Sequence, residues 1–131
     1  AGCDGTKVLS PGLMVTQQPR YPFGLCYRSL LGNDVKGTDL GYKLHLVYNA
    51  TASPSSWTHK TKSNQAELSS RSWTINCVPP LASTYKPTAH FVIDSRKVAA
   101  AKLTALENIL YGTSTSQPSL PSQATVISTL S

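Results

Sequence analysis

Lys86-Pro-Thr-Ala-His-Phe-Val-Ile-Asp-Ser-Arg-Lys-Val-Ala-Ala-Ala-Lys-Leu-Thr-Ala-Leu-Glu-Asn-Ile-Leu-Tyr-Gly112 decides the fold class, because a strand and a helix follow each other in it. Thr88 to Ile93 is β-branched and aromatic, and Pro87 before it suits the first residue of a strand but not its interior. Asp94 and Ser95 carry oxygens that can cap a helix, and Gly112 can close that helix in a left-handed conformation. The spacing therefore predicts a helix over about Arg96–Tyr111. At 100° per residue Val98, Leu103, Leu106, Ile109 and Leu110 share one arc, the expected packing face, with Glu107, Tyr111, Thr104 and Asn108 opposite. Lys102 falls inside the arc. Its stem is expected along the edge of the core with the ammonium in water, an ion pair to another subunit being the alternative. A helix of this length is marginal alone, so it needs a sheet to lie on.

The sheet is legible upstream. Phe23, Leu25, Tyr27 and Ser29 alternate with Gly24, Cys26, Arg28 and Leu30, and Tyr42, Leu44, Leu46 and Tyr48 alternate with Lys43, His45, Val47 and Asn49. Period two predicts two strands, and the Gly- and Asp-rich connection over Gly32–Gly41 makes them a hairpin. Glu67 to Cys77 alternates as a third strand that Val78-Pro-Pro ends. Ser10-Pro-Gly-Leu is a turn, and Leu13-Met-Val-Thr offers a short edge strand at most. Ala124 to Leu130 suits a strand or a short helix. Ala50 to Gln65 reads as a long polar loop with one conspicuous apolar residue, Trp57, which either packs on its own core or anchors a contact with another subunit. The fold class predicted is α+β or mainly β, built on antiparallel strands with one flanking helix.

At 131 residues the chain is one domain's worth, and no apolar run approaches the roughly 18 residues of a membrane span. The default is a soluble protein. Cys3, Cys26 and Cys77 are odd in number and without paired spacing, which points to reduced thiols rather than disulfides or zinc. The net charge of +6 permits nucleic-acid or acidic partners, but the basic residues are scattered apart from His59-Lys-Thr-Lys62. Asp4, Asp34, Asp39, Glu67, Asp94 and Glu107 offer no acid–base pair by spacing. His45, His59 and His90 lie far apart, and the two in strands need only a hydrogen bond. Nucleotide, zinc and serine-hydrolase motifs are all missing from the sequence. The expectation is a structural protein without catalytic residues, metal or cofactor.

The order of short segments carries a resemblance. Leu9-Ser-Pro-Gly-Leu-Met, Phe23-Gly-Leu-Cys-Tyr-Arg28, Leu31-Gly-Asn-Asp34, Gly41-Tyr-Lys-Leu-His-Leu-Val-Tyr48, Ala52-Ser-Pro-Ser, Ser72-Trp-Thr, Lys86-Pro-Thr-Ala, Ile93-Asp-Ser and Leu106-Glu-Asn-Ile-Leu-Tyr-Gly112 run unbroken from about Ala1 to Pro121. This series resembles the C-terminal part of the major tail tube proteins of long-tailed bacteriophages. The resemblance implies a single tail tube domain over 1–131, a β-sandwich or barrel-like module with a flanking helix, and no enzyme activity. It also implies a homo-oligomer of stacked, hexameric rings in the virion tail, assembled in the host cytoplasm with other tail proteins. Double-stranded DNA would pass through the channel during genome ejection without sequence-specific binding, and no membrane would be involved. Trp57, Lys60 and Lys62 are the expected contacts to a neighbouring subunit or ring.

Two departures accompany it. The family carries a further N-terminal region before the part matching Ala1, so a fragment, a cleaved form or an incompletely read protein is expected. Thr58 to Ser70 is basic and Ser-rich where the family tends to be acidic, which leaves the sign of a channel wall open. The competing readings are a carbohydrate- or receptor-binding β-module and a small basic nucleic-acid-binding domain.

Overall fold

In the computed structural model, which describes residues 6–35, 37–54, 72–82 and 85–131, six strands precede two helices. They are β1 (Lys7–Ser10), β2 (Leu13–Val15), β3 (Phe23–Asn33), β4 (Gly37–Pro54), β5 (Trp73–Cys77), β6 (His90–Asp94), α1 (Ala100–Tyr111) and α2 (Gln123–Leu130). The pairings of β1 with β2, of β4 with β5 and of β4 with β6 are all antiparallel. The strands and helices make an α+β, mainly β fold of two sheets, with no closed barrel among the described residues.

The chain divides into two compact units, Ala1–Phe23 with Asn49–Val78, and Gly24–Tyr48 with Pro79–Ser131. In the first, β1 and β2 form a hairpin in which Lys7 faces Val15 and Val8 faces Met14, with a bulge between Val8 and Ser10. Pro11-Gly12 makes its turn, and Gly12 sits at φ 84, a conformation that favours a residue without a Cβ. The same unit holds the far end of β4, where Ala50 pairs with Cys77 and Pro54 with Trp73. Arg20 Nη1 donates to the carbonyl of Ala52 at 2.5 Å.

In the second unit β4 is flanked by β3 and β6, with Leu44 opposite Ile93 and Leu46 opposite Phe91. Alternation puts Leu44, Leu46 and Tyr48 on one face, and these join Ile93, Leu103, Leu106, Leu110 and Val126 in the buried core. Both helices therefore lie on that face. From β3 it is Gly24, Cys26 and Arg28 that point to it: Cys26 packs on the core, Arg28 reaches Glu107 of α1, and a Cβ on Gly24 would stand 2.2 Å from Leu120. Hydrogen bonds that dock the tail after α1 include those from Tyr48 Oη to Pro121 O (3.1 Å), from Gln123 Nε2 to Thr88 O (2.7 Å) and from Tyr85 Oη to Gln123 Oε1 (2.9 Å).

Several elements differ from the sequence expectations at their ends. The helix starts at Ala100, not near Arg96, and carries no side-chain cap. Asp94 and Ser95 are engaged elsewhere. Asp94 accepts from the Arg96 amide (3.0 Å), Nε (3.0 Å) and Nη2 (2.8 Å), while Ser95 Oγ accepts from the Tyr42 amide at 3.0 Å. Val98 thus precedes the helix, although it still packs on the core beside the buried Leu103, Leu106 and Leu110; Ile109 is half-buried. Ala50–Pro54, expected within a loop, is strand, held by pairing with β5. Gly37 to Gly41 is also strand, so the hairpin loop between β3 and β4 is shorter than expected. Of the strand or short helix expected over Ala124–Leu130, the helix forms, as α2, whose first turn is capped by Ser122 Oγ accepting from the Thr125 amide at 3.2 Å.

Gly112 ends α1 at φ 77 and ψ 176, so the left-handed helical cap expected there does not form. A glycine is still required, because an added Cβ would lie 2.7 Å from Ser116 O and 2.9 Å from Pro118 N. Lys102 is half-buried, and its ammonium, expected in water, donates to the carbonyls of Leu130 and Ser131 at the end of α2. A cation there complements the partial negative charge of a helix C-terminus.

Candidate functional site

The sheet face away from the helices carries a line of polar and aromatic groups across three strands. Ser29 Oγ of β3 lies 2.9 Å from His45 Nε2 of β4, and His45 Nδ1 lies 3.1 Å from His90 Nε2 of β6. Tyr27, two residues before Ser29, stacks on the His45 ring with centroids 4.5 Å apart and planes 3° apart. The His45 and His90 rings are within 10° of parallel but their centroids are 5.3 Å apart. That separation exceeds the nitrogen–nitrogen distance by about two ring radii, so the imidazoles meet edge to edge in one plane. An N–H on one points at the lone pair of the other. Burial first, and then the neighbouring His90 and Lys43, push the pKa of His45 below its ordinary value.

The backbone explains how these groups meet. Antiparallel register puts His45 opposite Val92 and His90 opposite Val47, so the two histidines are diagonal neighbours on one face, within reach of long side chains. The line can relay a proton from Ser29 through His45 to His90. Amides of a strand lie in the sheet plane and not along its side chains, so Ser29 in mid-strand lacks the convergent N–H pair that stabilises an oxyanion. The two histidines aim at each other instead of at a common point, and no group of three metal-ligating side chains occurs among the described residues.

A second polar cluster lies on the helix side. Arg28 Nη2 pairs with Glu107 Oε1 at 2.9 Å, and its guanidinium stands 4.1 Å over the Tyr42 ring. Tyr42 Oη donates to the same carboxylate oxygen at 2.7 Å, and Cys26 Sγ is 3.8 Å from Tyr111 Oη. Burial, followed by the Glu107 hydrogen bond, raises the Tyr42 pKa; burial, followed by the Cys26 contact, raises that of Tyr111. This cluster ties β3 and β4 to α1. Cys26 and Cys77 are both free thiols.

The surface also carries apolar residues. Val8, Leu9, Leu13 and Met14 of the β1–β2 hairpin are each more than half exposed, and Trp73 and Ile75 of β5 are also exposed. In the second unit an apolar groove of about 400 Å³ runs along β6 and α2, lined by Phe91, Ile93, Val126, Ile127 and Leu130. No helix is long and apolar enough to cross a membrane among the described residues.

Trp57, Lys60 and Lys62, the subunit contacts expected from sequence, lie outside the described residues, as does Cys3. The contact between His45 and His90 was missed. Its signal was present in part, since each histidine occupies a period-two strand, but pairing them requires the register between β4 and β6. Comparison of the chain with protein-family models, with curated proteins and with solved structures finds no match.

Proposed function

We propose that the protein is a structural subunit of a bacteriophage tail tube, assembling with copies of itself into stacked, hexameric rings around a channel for the genome. The observation that carries this reading is the β1–β2 hairpin, in which Val8, Leu9, Leu13 and Met14 are exposed on the single chain and Val15 is half-buried. A two-stranded hairpin is marginal by itself in water, and clustered exposed apolar side chains mark association surfaces. Burial against a neighbouring copy would stabilise the hairpin, and repetition by one rotation would close a ring. The segment order resembling tail tube proteins supports the same reading. DNA would pass without being read, because contacts to phosphates hold no base information.

Negative-stain electron microscopy and sedimentation of the full chain test it. The expected result is six-fold rings or tubes from the native sequence, and folded, unassembled protein from Leu13→Lys with Met14→Lys. A native chain that stays monomeric at every concentration would overturn the proposal. Ligand-dependent stabilisation by a glycan without assembly would favour the carbohydrate-binding reading, and sequence-selective DNA binding with a steep salt dependence the nucleic-acid reading.

A further inference from the structure

We propose that His45 and His90 form a proton-operated lock on the open face of the sheet, closed while the nitrogens that face each other share a single hydrogen and opened when both carry one. The inference stands on the edge-to-edge geometry, in which Nδ1 of His45 and Nε2 of His90 are 3.1 Å apart and aimed at each other. In the neutral pair one of these nitrogens donates and the other accepts. A first added proton goes to an outer nitrogen and leaves that hydrogen bond in place, now assisted by charge. A second added proton has no site except the accepting nitrogen. It places N–H against N–H and one cation beside another, so the contact turns from attraction to repulsion.

The surroundings decide which ring moves. On β3, Tyr27 covers one face of the His45 ring and Ser29 holds its Nε2. Lys43 on β4 adds positive charge that disfavours protonation of His45. On β6, Asp94 is the nearest carboxylate in sequence, but it pairs with Arg96 and stands opposite Lys43, two residues from the partner of His45. Among the described residues no anion is therefore aimed at the histidine pair to neutralise it. His45 stays, because a charged imidazole over the Tyr27 ring gains a cation–π attraction. His90 is exposed, stands at the first position of β6, and swings out. Opening thus removes the side-chain tie between β4 and the first residue of β6 and leaves that end to its backbone pairing with Val47 and the bond from the Tyr48 amide to the Ala89 carbonyl.

Imidazole resonances followed by NMR on the full chain from pH 8 to pH 4.5 test the lock. The expected result is that His45 and His90 titrate together in two steps, the second proton binding at least about tenfold more weakly than the first, as interacting sites do. In His90→Gln, which alters an exposed side chain, His45 should titrate in one step at a higher pH than the second step of the native pair. Hydrogen-exchange protection of the β6 amides should fall across that second step in the native chain and not in His90→Gln. Independent single-step curves for the two histidines, or the same loss of protection in His90→Gln, would overturn the proposal.

Discussion

The two faces of the patch formed by β3, β4 and β6 are built from alternate residues of the same strands, yet they do different work. Leu44, Leu46, Tyr48 and Ile93 point to the helices and are buried, whereas Tyr27, Ser29, His45 and His90 point away and keep access to water. A fully buried Leu is worth roughly 1.5–3 kcal/mol relative to an exposed one, while a hydrogen bond of the open face contributes on the order of 1 kcal/mol. Stability should therefore reside on the covered face. The titratable imidazoles are on the other, where they meet solvent.

The sharpest way to break that contrast is Leu106→Ala, a fully buried position on α1. It should cost about 2–5 kcal/mol in denaturant unfolding, as large-to-small core changes do. Stability unchanged by the substitution would mean that α1 does not hold the sheet. Next comes Gly112→Ala, where the positive φ and the close Ser116 carbonyl together should cost about 1–3 kcal/mol, measured as a fall in thermal midpoint. Tyr42→Phe removes only the hydroxyl bonded to Glu107 and should lose about 0.5–1.5 kcal/mol, which a double-mutant cycle with Glu107→Gln would reduce towards additivity only if the bond is absent.

The open face should respond to pH more than to truncation. The folded pKa of His45 lies below its unfolded value, so the unfolded chain binds the proton more readily. Its contribution is complete above the ordinary histidine pKa of about 6.5 and is lost as pH falls from there towards the folded value. Unfolding measured between pH 7.5 and pH 5 should show stability decreasing with acid, with a flatter curve for His45→Gln. Equal slopes for the two proteins would remove His45 from the response. Smallest of all, Ser29→Ala should change stability at neutral pH by less than about 1 kcal/mol, since it removes one part-buried hydrogen bond.

The covered face was the legible one. Its apolar residues recur at period two in Tyr42 to Tyr48 and at helical period in Leu103 to Leu110, and burial enforces both patterns. Element ends were harder to read. Asp94 and Ser95 have cap chemistry, but a nearby guanidinium and a strand amide took their oxygens, and those competitors depend on tertiary placement. Ala50-Thr-Ala-Ser-Pro54 is weak in strand propensity and is strand because β5 lies beside it. Asn49, at φ 49, marks the point where β4 changes from its β6-paired to its β5-paired stretch. The histidine line was illegible for a similar reason: a register slip of one residue would turn His90 to the helix face and dissolve it.

The docking of residues 120–130 bears on how the protein is made. Val126 is fully buried among side chains of β4, β6 and α1, and the phenol of Tyr48, with its pKa pushed up to about 12 by burial, donates to the Pro121 carbonyl. Synthesis runs from the N-terminus, so β3, β4 and β6 leave the ribosome with part of their apolar face uncovered and cannot be sealed until α2 follows. The contacts that finish the core span more than seventy residues of chain, a separation that slows folding. In that interval Leu46 and Tyr48 lack part of their final cover, and apolar surface left open during folding favours aggregation.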